Sequence, residues 1–71
     1  MGRVIRLDVR DMEPPQPLVE ISRRLGELEK GDRLEVLGSR PFVSLIPRLE
    51  ELGFKYSIEE VEEGYLLTVE R

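Results

Sequence analysis

The sequence predicts an α/β (α+β) two-layer sandwich in the order β-α-β-α-β-β, a four-stranded mixed sheet with two helices on one face. Three observations lead there. Four short runs alternate apolar and polar residues with period two, the signature of a half-buried strand. Two longer runs carry apolar residues at helical spacing. Each strand run has one apolar and one mostly polar face, so a single layer of helices suffices and the other sheet face is left to water or a partner.

Val4 to Val9 is the first strand, with Ile5, Leu7 and Val9 on one side and Val4, Arg6 and Asp8 on the other. Pro14, Pro15 and Pro17 then forbid a helix interior. Pro17 suits the first helical position, with Gln16 as cap. The first helix runs from Pro17 to Glu29. Leu18, Ile21, Leu25 and Leu28 form its apolar stripe, and Glu20, Arg23, Arg24 and Glu27 its wet side. Gly31 sits where a left-handed C-cap is expected.

Arg33 to Leu37 is the second strand, with Leu34 and Val36 inward. Phe42, Leu45, Ile46, Leu49 and Leu52 line one face of a second helix. Pro47 should kink it or break its first turn, and Gly53 ends it. Phe54 to Val61 and Tyr65 to Glu70 are a strand pair joined by Glu62-Glu63-Gly64, a hairpin signal. No repeat, linker or low-complexity segment interrupts the chain, which reads as one domain, residues 1–71.

Composition narrows the function. A chain of 71 residues supplies a core worth about 3–5 kcal/mol net, so any site is shallow or shared with another chain. Fifteen acidic against eleven basic residues, a net charge of −4, oppose the phosphate attraction that nucleic-acid binding needs. Without cysteine there is no disulfide, thiolate nucleophile or thiolate metal site. Without histidine the commonest general base and metal ligand is gone. No cofactor is expected. Met1 to Leu7 holds no signal-peptide core and no run is long enough to span a membrane, so the chain reads as cytoplasmic. Absent Cys and Asn, a lone Gln16 and abundant charge suit a heat-adapted protein.

The segment Leu7-Asp8-Val9-Arg10-Asp11-Met12-Glu13-Pro14-Pro15-Gln16-Pro17-Leu18 resembles the TusA/SirA-like sulfur-carrier superfamily. Members carry a Leu-Asp strand end, a short turn, and Cys-Pro-x-Pro opening the first helix. Here Pro15-Gln16-Pro17 matches the Pro-x-Pro, Pro14 stands where the cysteine would be, and Asp11 replaces the usual Gly. Lys30-Gly31-Asp32 and Ile46-Pro47 fit the same pattern. A cysteine-less, uncharacterised branch is closer still, in the Leu-Asp-Val-Arg strand end, the Pro-Pro-x-Pro-Leu start and the segment Leu52 to Tyr56.

The resemblance implies a scaffold without its reagent. A cysteine just before a helix start is stabilised as thiolate and can hold a persulfide; Pro14 keeps the shape and removes the sulfur. The expectation is therefore a non-catalytic interaction domain, not an enzyme. Its proline turn, Pro14, Pro15, Gln16 and Pro17, or its open sheet face would dock a protein partner or a second copy. The alternative is a small-ligand or anion sensor at the first helix start, using Arg10 and Arg40. Nucleic-acid binding rests on fold analogy alone.

Other candidates have plainer explanations. Pro15 and Pro17 lack N–H, leaving Gln16, Leu18 and Val19 as anion donors, so the helix start reads first as structure. Asp8 and Asp11 beside Arg10 invite an acid–base pair, but capping or solvated ion pairing fits a turn better. Glu59, Glu60, Glu62 and Glu63 match no known cation loop and read as a solvated tip. Phe42, Phe54, Tyr56 and Tyr65 are expected in the core. Leu37, Leu66 and Val4 fall on the wet sheet face, as a contact patch or as ordinary exposed residues.

Overall fold

Alternation along each strand decides how the layers meet. The structure is a computed structural model and describes residues 2–71. β1 is Val4–Asp8, α1 Gln16–Glu27, β2 Arg33–Gly38, α2 Ile46–Glu51, β3 Lys55–Val61 and β4 Gly64–Glu70; a 3-10 turn, Val43–Leu45, leads into α2. The sheet order is β1-β2-β4-β3, with β1 parallel to β2 and the other pairs antiparallel. The sandwich is the one the sequence predicts. The hairpin places β4 in the centre and β3 at the edge.

Two rows of side chains form the covered face. Ile5, Leu34, Val69 and Tyr56 are cross-strand neighbours, as are Leu7, Val36, Leu67 and Ile58. Ile21, Leu25 and Leu28 from the first helical segment and Phe42, Leu45 and Leu49 from the second join the same core. Both helices thus cover one face. Burying each large aliphatic side chain contributes about 1.5–3 kcal/mol. Phe42 is buried as expected, while Phe54, Tyr56 and Tyr65 are half-buried and pack against the core.

Several boundaries move, each for a local reason. β1 ends at Asp8, although the Val9 N–H still donates to Leu37 O (2.8 Å). α1 starts one residue earlier than expected, and Pro15 rather than Gln16 takes the cap position, with no side-chain cap bond. Pro17 is tolerated because first-turn N–H groups have no helical partner. The 3-10 turn shows that Pro47 breaks the first turn of the second helix rather than kinking it. Two expected stripe residues are exposed: Leu18 at 41% and Leu52 at 50%, each one turn beyond where its helix touches the sheet. Glu20, placed on the wet side, is half-buried and paired with Arg23. β2 runs on to Gly38 and β3 starts at Lys55. Gly64 pairs with Val61, so the hairpin turn is only Glu62-Glu63.

Gly31 does not cap α1. It has φ +93, but the helix ends at Leu28, whose backbone turns extended and drops its side chain into the core. A buried carboxylate closes the helix instead. Asp32 is 3% exposed. It accepts the Arg3 main-chain N–H (2.8 Å), the Arg3 guanidinium (2.9 Å) and the Glu29 N–H (2.9 Å). Arginine side chains take the last helical carbonyls: Arg3 donates to Glu27 O (3.3 Å) and Arg71 to Leu28 O (2.9 Å).

The Arg3 side-chain hydrogen bond, then the N–H groups of Arg3 and Glu29, hold the Asp32 carboxyl well below the ordinary 3.8. A folded value below the unfolded one contributes stability that is complete above the unfolded value and is lost as pH falls through the folded one. Asp32→Asn is expected to lower the thermal midpoint at neutral pH and to flatten the decline below pH 3.8. Thermal denaturation followed by circular dichroism across that range measures both. An unchanged acid slope would refute the assignment.

Candidate functional site

The first helix starts where two connections meet, and their residues cannot fill the space between them. A groove of about 590 Å³ remains, lined on one side by Met12, Pro14, Pro15, Pro17 and Leu18 and on the other by Gly38 to Phe42 and Leu45. Of the residues singled out from the sequence, Arg10, Pro14, Pro15, Pro17 and Arg40 all line it, and Gln16 does not. The Pro14–Pro15 peptide bond is cis.

Donors at the helix start are few. The Gln16 N–H donates to Glu13 O (2.8 Å) and the Val19 N–H to Pro15 O (3.2 Å). Of the three N–H groups counted from the sequence, only that of Leu18 lacks a main-chain acceptor among the described residues. Arg10 is occupied as well. Its Nε and Nη2 grip the Asp8 carboxylate at 3.0 and 2.7 Å, and its main-chain N–H donates to the same group (3.0 Å). Asp8 therefore serves the turn, and Asp11 and Glu63 add attraction to Arg10. Arg40, opposite, is exposed and has no carboxylate within ion-pair distance among the described residues.

The groove is mainly apolar. Leu18 and Pro41 are exposed on its two sides, and Val43, 63% exposed, follows Phe42. Phe42 forms a wall because β2 ends in glycine: a Cβ on Gly38 would lie 2.6 Å from the ring Cζ. The exposure of Leu18 and Val43 was not legible in the sequence, since both fit a helical stripe or its margin.

The remaining candidates separate. Leu37 and Leu66 are cross-strand partners on the open sheet face, where Val61 joins them in a shallow depression. Val4 stands apart on the edge strand at the far end, 51% exposed. The rest of that face carries Arg6–Glu35 (3.1 Å), Arg33–Glu35 (3.6 Å) and Arg33–Glu70 (2.8 Å) ion pairs. Among the described residues no group of three or more acidic side chains is arranged to hold a metal, the glutamates of the hairpin tip included. Among the described residues no helix is long and apolar enough to cross a membrane.

Two outcomes follow from this geometry. The Arg10 side-chain and main-chain hydrogen bonds lower the Asp8 carboxyl from 3.8 to about 2. In Arg10→Ala it should return toward 3.8, followed by the carboxyl ¹³C shift; an unmoved titration would show that the pair is not formed in solution. Gly38→Ala must push the Phe42 ring aside, with an expected loss of about 1–3 kcal/mol in urea denaturation and shifted Phe42 ring resonances. A stability equal to the parent would refute the close approach.

The family model described as Sulfurtransferase TusA matches residues 5–71. No curated protein and no solved structure matches the chain.

Proposed function

The chain belongs to the sulfurtransferase TusA family, and from that premise we propose that it is a non-catalytic member, a module that docks a protein partner through the proline groove. One observation carries the reading: the chain holds no cysteine, and the motif resemblance puts Pro14 where the family has one. Persulfide transfer needs a thiolate. The groove around Pro14 survives the loss and keeps an exposed apolar lining in Leu18 and Pro41. Exposed apolar patches rimmed by polar residues are typical of protein contacts. The partner is another cytoplasmic protein or a second copy.

The anion-sensor reading has Arg40 in its favour, with one free N–H at the helix start and Arg10 engaged by Asp8. Two guanidinium groups acting together would be a stronger basis. Nucleic-acid binding is opposed by the net charge of −4.

The test is site-specific photo-crosslinking in cells that express the protein. A photoreactive residue at Leu18 should give an adduct of one defined mass, and the same residue at Ser57 on the open sheet face should not. Absence of an adduct at Leu18, or equal capture at both positions, would sink the docking reading. Isolation of the native chain carrying transferable sulfur would sink the non-catalytic one.

A further inference from the structure

A second groove lies at the opposite end of the helical layer, between the C-terminal ends of α1 and α2, with a volume of about 340 Å³. Its floor is apolar, from Leu25, Leu52 and Phe54. Its polar residues are Ser22, Arg48 and Arg71. No carboxylate side chain lines it, whereas Glu13 lines the proline groove and Asp8, Glu35 and Glu63 line the depression on the sheet.

This is unusual in a chain where acids outnumber bases fifteen to eleven. Arg3, Arg6, Arg10, Arg23, Arg24 and Arg33 each hold a carboxylate. Among the described residues Arg40, Arg48 and Arg71 do not, and two of these three share one groove. Arg71 is fixed by a single bond from Nη1 to Leu28 O (2.9 Å), which leaves its other nitrogens free. Its main-chain oxygen accepts the Gly31 N–H (3.3 Å). The C-terminal end of a helix carries about half a negative charge. The two guanidinium groups offset these partial charges, and α2 is only six residues long.

Gly26 supplies an independent observation. A glycine inside a helix is less favourable than alanine. Here a Cβ at Gly26 would meet no atom within 4 Å, so no packing within the chain requires the glycine. Gly53, across the groove, is required by its backbone, with φ +77. The bare backbone keeps space free beside the two arginines.

We propose that this groove binds a small organic oxyanion with an apolar body: the acid group takes hydrogen bonds from Arg48 and Arg71, and the body lies on Leu52 and Phe54. Pockets of this size, mainly apolar with a few converging charged groups, are typical of small-molecule sites. The proposal is independent of the docking role of the proline groove.

Benzoate, phenyl phosphate and inorganic phosphate are the probes, titrated into the full chain at low ionic strength. Binding is read by thermal midpoint and by amide shifts in ¹H–¹⁵N spectra. Benzoate or phenyl phosphate should bind saturably at millimolar concentration or below and shift the Gly26 and Gly53 amides; which of the two binds more tightly identifies the acid group. Arg48→Gln, a surface change that leaves the fold intact by circular dichroism, should weaken binding about tenfold or more. Gly26→Leu, which fills the space, should abolish it. Arg40→Gln, at the other end of the molecule, should leave it unchanged. No saturable binding by either organic probe, inorganic phosphate binding as tightly as phenyl phosphate, shifts centred elsewhere, or equal weakening by Arg40→Gln would each overturn the proposal.

Discussion

One buried carboxylate joins the ends of the fold. Asp32 lies where the chain entering β1, the end of α1 and the start of β2 converge, and it accepts hydrogen bonds from two of them at once. An acid so little exposed is stable only when every oxygen is satisfied, and here the partners are a guanidinium and two peptide N–H groups. The Arg33 N–H donates to Arg3 O (2.8 Å) and the Arg71 N–H to Asp32 O (3.2 Å), so the parallel register of β1 on β2 and the end of β4 refer to the same point. A parallel pair needs a crossover helix of the right length. Asp32 sets that length by ending α1 at the turn where Leu28 enters the core.

The two ends of the sandwich are built from opposite chemistry. At the Asp32 end arginine side chains take the Glu27 and Leu28 carbonyls, and the layers close. At the other end prolines take the helix start and glycine ends the facing strand, so the backbone offers few donors and little bulk. The apolar groove is the consequence.

Charge is arranged with similar economy. Six arginines meet carboxylates of the same chain, mostly on exposed surface, where each pair contributes at most about 1 kcal/mol. Their larger effect is on availability. Arg10, conspicuous beside the groove in the sequence, is engaged by Asp8, whereas Arg40 and Arg48 have no carboxylate partner among the described residues and Arg71 holds only the Leu28 carbonyl. Pairing thus separates arginines that complete the fold from arginines that face solvent, a distinction that residue type alone does not carry.

Local patterning determined the element order, the two-layer class, the missing thiol chemistry and the position of the proline turn, because strand alternation, helical spacing and proline sterics act within a few residues. Arg10, Pro14, Pro15 and Pro17 follow β1 and Arg40 follows β2, and the parallel pairing of those strands brings them to one end of the sheet. Tertiary contacts decided the rest. Leu18 and Leu52 satisfy a helical stripe yet lie beyond the reach of the sheet, and Val61 rather than Val4 completes the patch on the open face. Gly31 has the expected backbone but not the expected role, since Asp32 reaches back three residues to close the helix. The groove holding Arg48 and Arg71 joins residues separated by more than twenty positions, and only the packing of two helix ends against the sheet brings them together.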